Sequence, residues 1–312
     1  MEKIAIETEE DFQGLIICLN SLGIEVIRPN INLDSMQLVN ERLPKPPMCP
    51  RDNMIMLGTT LIETVTTVGV GNEPVLFRDT EYPRLLAGNY NLYTDIFDHV
   101  RKQGNTIESS NEGSICAAMI YQLNDKIFFS GYPETDRAIV KDTIWHHRPN
   151  SKVFPFHLHG HIDGWFAPVS PNLIISSTDD TRPEILNLFY QSFFPNTDIV
   201  YLKPSLGSNY SFMQWQKINK GHWWIPGQEN NYDLNKFVDQ YFDHWLGEIS
   251  ETVFEVNMII VDDKTVIVSN YNAEIFKKFQ EHGITAHVCK IRHEKFWDAG
   301  LSCMTCELDR TS

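Results

Sequence analysis

Four short segments gather unlike reactive side chains: Cys49-Pro50-Arg51-Asp52, Glu112-Gly113-Ser114-Ile115-Cys116, His157-Leu158-His159-Gly160-His161-Ile162-Asp163-Gly164 and Gly300-Leu301-Ser302-Cys303-Met304-Thr305-Cys306. A thiol is a useful nucleophile only as thiolate, so a catalytic cysteine needs an imidazole or a cation beside it, and a departing amine needs a proton donor. Cys303 with His161 could supply both. Two carboxylates can grip a planar guanidinium through charge-assisted hydrogen bonds and polarise its central carbon without a metal; Asp52 and Asp163 are the candidates.

Each of these residues also has an ordinary structural use. His157, His159 and His161 alternate, so on a strand they share a face that could ligate a metal, although alternating histidines more often pack or hydrogen-bond. Cys303 and Cys306 form a Cys-x-x-Cys, but a second such pair and the strand-into-helix context of a redox motif are both missing. Asp52 follows a Pro-Arg turn, and Asp163 can close an Asx-turn.

The elements that must position these residues repeat. Asn257–Val261 and Thr265–Val268 are apolar, β-branched runs around Asp262-Asp263, which predicts a hairpin. A helix then starts from Asn272, with Ile275, Phe276 and Phe279 on one face and Gly283 at its end, followed by a strand over Thr285–Cys289. The same hairpin, helix, strand order is expected five times. Hairpins are predicted at Asn53–Glu63, Ala117–Ser130 with Asn124-Asp125 turning, and Gly164–Ser176 with Pro171-Asn172 turning. Helices are predicted near Leu92–Gln103, Glu134–His146 and Pro183–Phe193, and the stripe Phe12, Leu15, Ile16, Leu19, Leu22 ends at Gly23 before a strand Glu25–Ile27. Units that bury their apolar faces only against one another favour a closed ring, with the reactive segments at equivalent hairpin mouths. Lys203–Leu246 fits the repeat poorly and reads as a long connection or lid, with a final helix over Asn235–Trp245.

A chain of 312 residues with 42% hydrophobic residues can bury a large core, and a single domain over 1–312 is expected. The net charge of -15, from 41 acidic and 26 basic residues, repels a phosphate backbone, which argues against a nucleic-acid partner and suits a cationic small molecule. No apolar run approaches the roughly 18 residues that span a bilayer, and Met1-Glu2-Lys3 leads straight into an amphipathic helix, so a cytoplasmic chain with no membrane partner is expected. Six scattered cysteines, at 18, 49, 116, 289, 303 and 306, read as reduced thiols.

Pro50-Arg51-Asp52 before one hairpin, His161-Ile162-Asp163 before another, and Cys303-Met304-Thr305-Cys306 followed by Leu308-Asp309-Arg310 together resemble the amidinotransferases of the pentein superfamily, glycine amidinotransferase above all. The resemblance runs over almost the whole chain. It implies an α/β fold, a five-bladed α/β propeller of ββαβ units, acting on arginine as amidino donor and an acceptor amine, with no cofactor and no metal. In that family pattern Cys303 attacks the guanidinium carbon, and His161 protonates departing ornithine and later deprotonates the acceptor. Asp52 and Asp163 hold the guanidinium, Arg182 takes the donor's carboxylate, and Ser250 meets the amino-acid end. Glycine is the default acceptor, giving guanidinoacetate, and family members are often homodimers.

The sequence also departs from the family. Cys116 stands where an acid usually orients the histidine, and Glu112, which matches a family glutamate, is the nearest substitute. A histidine without its carboxylate loses tautomer control and imidazolium stabilisation. Ser302 replaces a histidine before the nucleophile, Asp298 and Ala299 replace glycines, Glu251 replaces a serine, and Val65–Leu76 has little likeness to the family. The alternatives are therefore a hydrolase of the same superfamily, of arginine deiminase or dihydrolase type, and an impaired homologue that binds arginine without turning it over.

Overall fold

The computed structural model describes residues 2–30, 48–64, 93–109, 117–130, 137–156, 161–177, 183–202, 231–233, 236, 255–297 and 299–309. Among them four three-stranded sheets share one connectivity: an antiparallel hairpin, a helix, and a third strand parallel to the hairpin's second. The first repeat comprises strands β1 (Met54–Leu57) and β2 (Thr60–Glu63), a helix Thr94–Lys102, and β3 (Thr106–Ser109). The second comprises β4 (Ile120–Leu123), β5 (Lys126–Ser130), a helix Arg137–His147 and β6 (Lys152–Phe156). The third has β7 (Phe166–Ser170), β8 (Leu173–Ser177), a helix Pro183–Phe193 and β9 (Asp198–Leu202); the fourth has β10 (Ile259–Asp262), β11 (Thr265–Val268), a helix Ala273–Glu281 and β12 (Thr285–Val288). In chain order the helices whose bounds are described are α1 (Glu2–Ser21), α2 (Pro50–Asn53), α3 (Thr94–Lys102), α4 (Arg137–His147), α5 (Pro183–Phe193), α6 (Ala273–Glu281) and α7 (Glu294–Trp297).

The second strand of each hairpin is the central one and is covered on both faces, so it reads as a continuous apolar run rather than an alternation; Leu173, Ile174 and Ile175 of β8 are wholly buried. Within the described strands prolines fall on edge strands, where a missing N–H costs no ladder bond. Pro155 lies in β6, and Pro168 lies in β7 beside a register shift.

The chain divides into two compact units, one of Met1–Val26 with Asp163–Ser302 and one of Ile27–Ile162 with Cys303–Ser312. In the second, the first two repeats share a core in which Ile55, Leu57 and Ile62 meet Ile120, Ile127, Phe129, Val140 and Ile144. On the other side of the first sheet, Met54 and Leu61 pack on Tyr93, Phe97 and Val100, with Ile27, Cys306 and Leu308 at the margin. In the first unit, Ala167, Leu173 and Ile175 of the third repeat pack against Val266, Val268, Ile275 and Phe279 of the fourth. Burying side chains of this size contributes about 1.5–3 kcal/mol each, so neither member of a pair of repeats is stable as a separate sheet.

Helix α1 is fastened to the segment that leads toward the C-terminus. Arg292 Nε donates to Asp11 (2.8 Å) and Arg292 Nη2 to Glu10 (2.7 Å), His293 Nε2 meets Glu7 (2.8 Å), and Trp297 Nε1 donates to Thr8 (2.9 Å).

Two expectations change in detail. The turn of the fourth hairpin falls at Asp263-Lys264, because Asp262 ends β10 and its side chain accepts the Lys264 N–H at 2.8 Å, an Asx-turn in place of a two-Asp turn. The strand expected over Glu25–Ile27 is not formed: these residues carry no ladder, and Ile27 is used in packing instead. The four hairpin repeats are seen; a fifth is not among the described residues. Most of Lys203–Leu246, and the helix expected over Asn235–Trp245, lie outside them. No described helix is long and apolar enough to cross a membrane.

Candidate active site

Asp52 is placed by a short piece of chain with few freedoms. Pro50 occupies the first position of α2, where its fixed φ suits a helix start and its missing N–H costs nothing. The Asp52 N–H donates to Cys49 O (3.0 Å), the Thr64 hydroxyl donates to Asp52 O (2.9 Å), and the Thr64 N–H donates to Asn53 O (2.7 Å). The Ala117 N–H in turn reaches Thr64 Oγ1 at 3.4 Å, so the mouth of the second hairpin buttresses that of the first. Arg51 is turned away from Asp52's role: its guanidinium donates to Ile120 O (3.2 Å) and lies 5.8 Å above the Tyr121 ring.

His161, the residue before a 3₁₀ turn over Ile162–Gly164, brings its Nδ1 to 3.7 Å from Asp52 Oδ1, with both side chains largely withdrawn from water at 10% and 6% exposure. That separation is longer than a hydrogen bond. Cys303 is buried, and its Sγ lies within 4.8 Å of a ring nitrogen of His161. Cysteine, imidazole and carboxylate of the second unit are thus brought together.

The neighbouring thiol is set apart from this group. Cys306 is pushed up to about 12, chiefly by burial, which outweighs the opposing pull of Arg51. Its S–H donates toward Met54 O at 3.5 Å. Of the Cys-x-x-Cys pair, Cys306 is a packed structural thiol and Cys303 is the one beside a base.

In the first unit Asp163 is buried, and the Ser302 hydroxyl donates to its Oδ2 at 2.9 Å. The chain before Ser302 runs tightly past the fourth hairpin: a Cβ at Gly300 would lie 2.5 Å from Asn257 Oδ1, and Asn257 is itself wholly buried. Only glycine fits that approach. His157, His159, Arg182, Ser250, Glu112 and Cys116 lie outside the described residues.

Sequence reasoning missed the roles of Thr64 and Ser302. Thr64 ends a strand-like run and gave no sign that its hydroxyl would bridge two hairpin mouths. Ser302 was noted only as a replacement, although a hydroxyl beside a candidate nucleophile is a natural partner for a buried carboxylate.

No family model matches the chain. In sequence it is 20% identical over 331 aligned positions to inosamine-phosphate amidinotransferase 1 of Streptomyces griseus, covering 100% of this chain and 83% of that protein. In structure it is similar to the inosamine-phosphate amidinotransferase of Streptomyces griseus, with a TM-score of 0.63, 17% identity, and coverage of 100% of this chain and 83% of the other. An amidinotransferase of the saxitoxin biosynthetic pathway from Microseira wollei gives a TM-score of 0.63 at 14% identity, with coverage of 100% and 86%. A dimethylarginine dimethylaminohydrolase of Pseudomonas aeruginosa complexed with citrulline gives 0.54 at 11% identity, with coverage of 96% and 87%. The likeness to these amidinotransferases is faint in sequence and runs over the full length of the chain in fold.

Proposed function

We propose that this chain is an amidinotransferase that moves the amidino group of L-arginine, through a covalent amidino-cysteine, to an acceptor amine, with glycine the default acceptor and ornithine and guanidinoacetate the products. The observation that supports it most is the buried Cys303 thiol within 4.8 Å of the His161 ring. The thiol proton passes to His161, and the thiolate attacks the guanidinium carbon. The bond from that carbon to the ornithine nitrogen breaks as His161 returns the proton to the leaving amine. The acceptor amine then attacks the amidino-cysteine, His161 takes its proton, and the carbon–sulfur bond breaks to restore the thiolate.

Asp52 has a second duty in this scheme. Its carboxylate, 3.7 Å from His161 Nδ1, supplies the negative charge that the family's missing acid would provide, favouring a proton on Nδ1 and stabilising the imidazolium. Asp163, steadied by Ser302, is the second carboxylate for the guanidinium, and Arg182 and Ser250 are proposed for the amino-acid end of arginine. Glu112 and Cys116 are retained as residues that stand at or near the missing acid's place. No cofactor is required. The same reading takes residues 1–312 as one domain built as a five-bladed ring, active in the cytoplasm as a homodimer.

Likeness to a dimethylarginine dimethylaminohydrolase and to an arginine dihydrolase favours a second reading, in which the terminal guanidinium nitrogen rather than ornithine leaves the Cys303 adduct, and water then releases citrulline from the alkylated amidino-cysteine that remains. Incubation with arginine, alone and with a panel of amines including glycine and a phosphorylated amino-cyclitol, separates the two. A guanidino product that depends on the amine, with ornithine in equal amount, supports transfer. Citrulline as the only product overturns it.

A further inference from the structure

Away from Cys303 and His161, a second set of metal-ligating side chains converges within the Ile27–Ile162 unit. Glu108 lies on β3, and His146 and His147 are the last two residues of α4. Each offers one ligand atom, and these atoms lie within 4.8 Å of one another. His147 Nε2 is 3.5 Å from Glu108 Oε2, with the histidine side chain 6% and the glutamate side chain 53% exposed. The two imidazoles meet edge to face, their centroids 4.8 Å apart at 88°.

The backbone holds this corner in place. The turn between β1 and β2 passes so close to the end of α4 that a Cβ at Gly58 would lie 2.7 Å from His147 O. Arg148 Nη1 donates to Gln122 Oε1 (2.8 Å), and Gln122 Nε2 donates to Met56 O (2.7 Å), tying the second repeat to the first. His147 is therefore a fixed ligand, whereas Glu108 and His146 are exposed and free to rotate onto an ion.

We propose that Glu108, His146 and His147 bind a divalent cation of the zinc class at the seam between the first and second repeats. Zinc holds imidazole nitrogen and carboxylate oxygen at roughly 2.0–2.2 Å in a tetrahedron, which sets its ligand atoms roughly 3.4 Å apart. The Glu108–His147 separation of 3.5 Å already meets that spacing, and His146 closes the third vertex by a rotation of its ring. Water takes the fourth position. Two imidazoles with one carboxylate select zinc, nickel or copper over calcium and magnesium, which prefer all-oxygen sites. The bound ion joins β3 to the end of α4, so occupancy stabilises the fold by mass action. Nothing in this site takes part in amidino transfer, and the two proposals stand or fall separately.

The test is a calorimetric titration of zinc sulfate into the full chain carrying Cys303→Ser, which removes the thiol that would compete beside His161. The expected result is a zinc-binding step that weakens about tenfold or more in His146→Ala and in Glu108→Gln, and equally in His147→Ala if that variant folds. His99→Ala, on α3, should leave it unchanged. Zinc should also raise the thermal midpoint of the parent and not that of the Glu108→Gln, His146→Ala double variant. Zinc affinity within about twofold of the parent in that double variant, or no zinc binding by the parent, overturns the proposal.

Discussion

The first and fourth repeats are built on the same hairpin, helix, strand plan, yet they use their buried volume differently. The fourth is self-consistent at every level: Asn272 caps α6 by accepting the Glu274 and Ile275 N–H groups, Gly283 leaves the helix at φ +68, and Ile275 and Phe279 fill the core beside Val266 and Val268. In the first, α3 begins at Tyr93 without a side-chain cap, and the hairpin mouth buries Asp52, Asn53, Glu63 and Thr64. Asn53 and Thr64 are hydrogen-bonded there, to Cys49 O and Asp52 O, but the mouth also withdraws two carboxyl groups, Asp52 and Glu63, from water, whereas the described mouth of the fourth repeat buries the neutral Asn257 and Ser269. On the proposed function, one fold unit serves as scaffold in one place and as chemical equipment in another, and the difference lies in the charge buried at the hairpin mouth.

That contrast can be broken by substitution. Phe279→Ala, in the scaffold repeat, should cost about 3–5 kcal/mol of unfolding free energy in urea denaturation. If it costs under about 1 kcal/mol, the fourth repeat is not the core it is taken for. Asp52→Asn should do the reverse: kcat/KM for arginine should fall by about 10²-fold or more, near 2.7 kcal/mol of transition-state stabilisation, while the thermal midpoint holds or rises because a buried charge has gone. A fall in stability with activity intact would make Asp52 a turn residue. Asn272→Ala should lower stability by about 1 kcal/mol through loss of the α6 cap and leave kcat unchanged.

The legibility of the sequence followed the same division. The fourth repeat could be read almost residue by residue, because apolar spacing, an Asn cap and a Gly stop all pointed to one structure. Even there the turn slipped by one residue, since the choice between Asp262-Asp263 and Asp263-Lys264 rests on a side-chain hydrogen bond that composition does not reveal. α5 was legible to its bounds, Pro183–Phe193, since proline marks its start and the apolar stripe its length. The candidate site segments were visible as residue types, and their order carried the resemblance to the amidinotransferases. What could not be read was orientation: Asp52 facing His161, Cys306 turned to Met54 O, and Ser302 donating to Asp163 each depend on angles set by distant parts of the chain. The strand expected over Glu25–Ile27 failed because a run of three residues fits an extended packed segment as well as a ladder.

The smallest expected effect concerns acid. In the first unit Lys278 of α6 and the nearby His282 meet Asp198 of β9, and the Lys278 hydrogen bond is the main reason its carboxyl is held below the usual 3.8. A depressed folded-state value means the pair's contribution is present above pH 3.8 and fades as pH falls through the native value. The stability gap between the parent and Asp198→Asn should therefore be constant from about pH 5 upward and shrink below about pH 4. A gap that widens in acid would contradict the pairing.

The most direct measurement is the mass of the protein quenched during turnover with arginine, with the modified residue located by peptide mapping. An amidino adduct on Cys303, retained in Cys306→Ser and absent in Cys303→Ser, is the predicted result. An adduct on Cys306, or arginine consumed with no covalent species in any quench, would contradict the account.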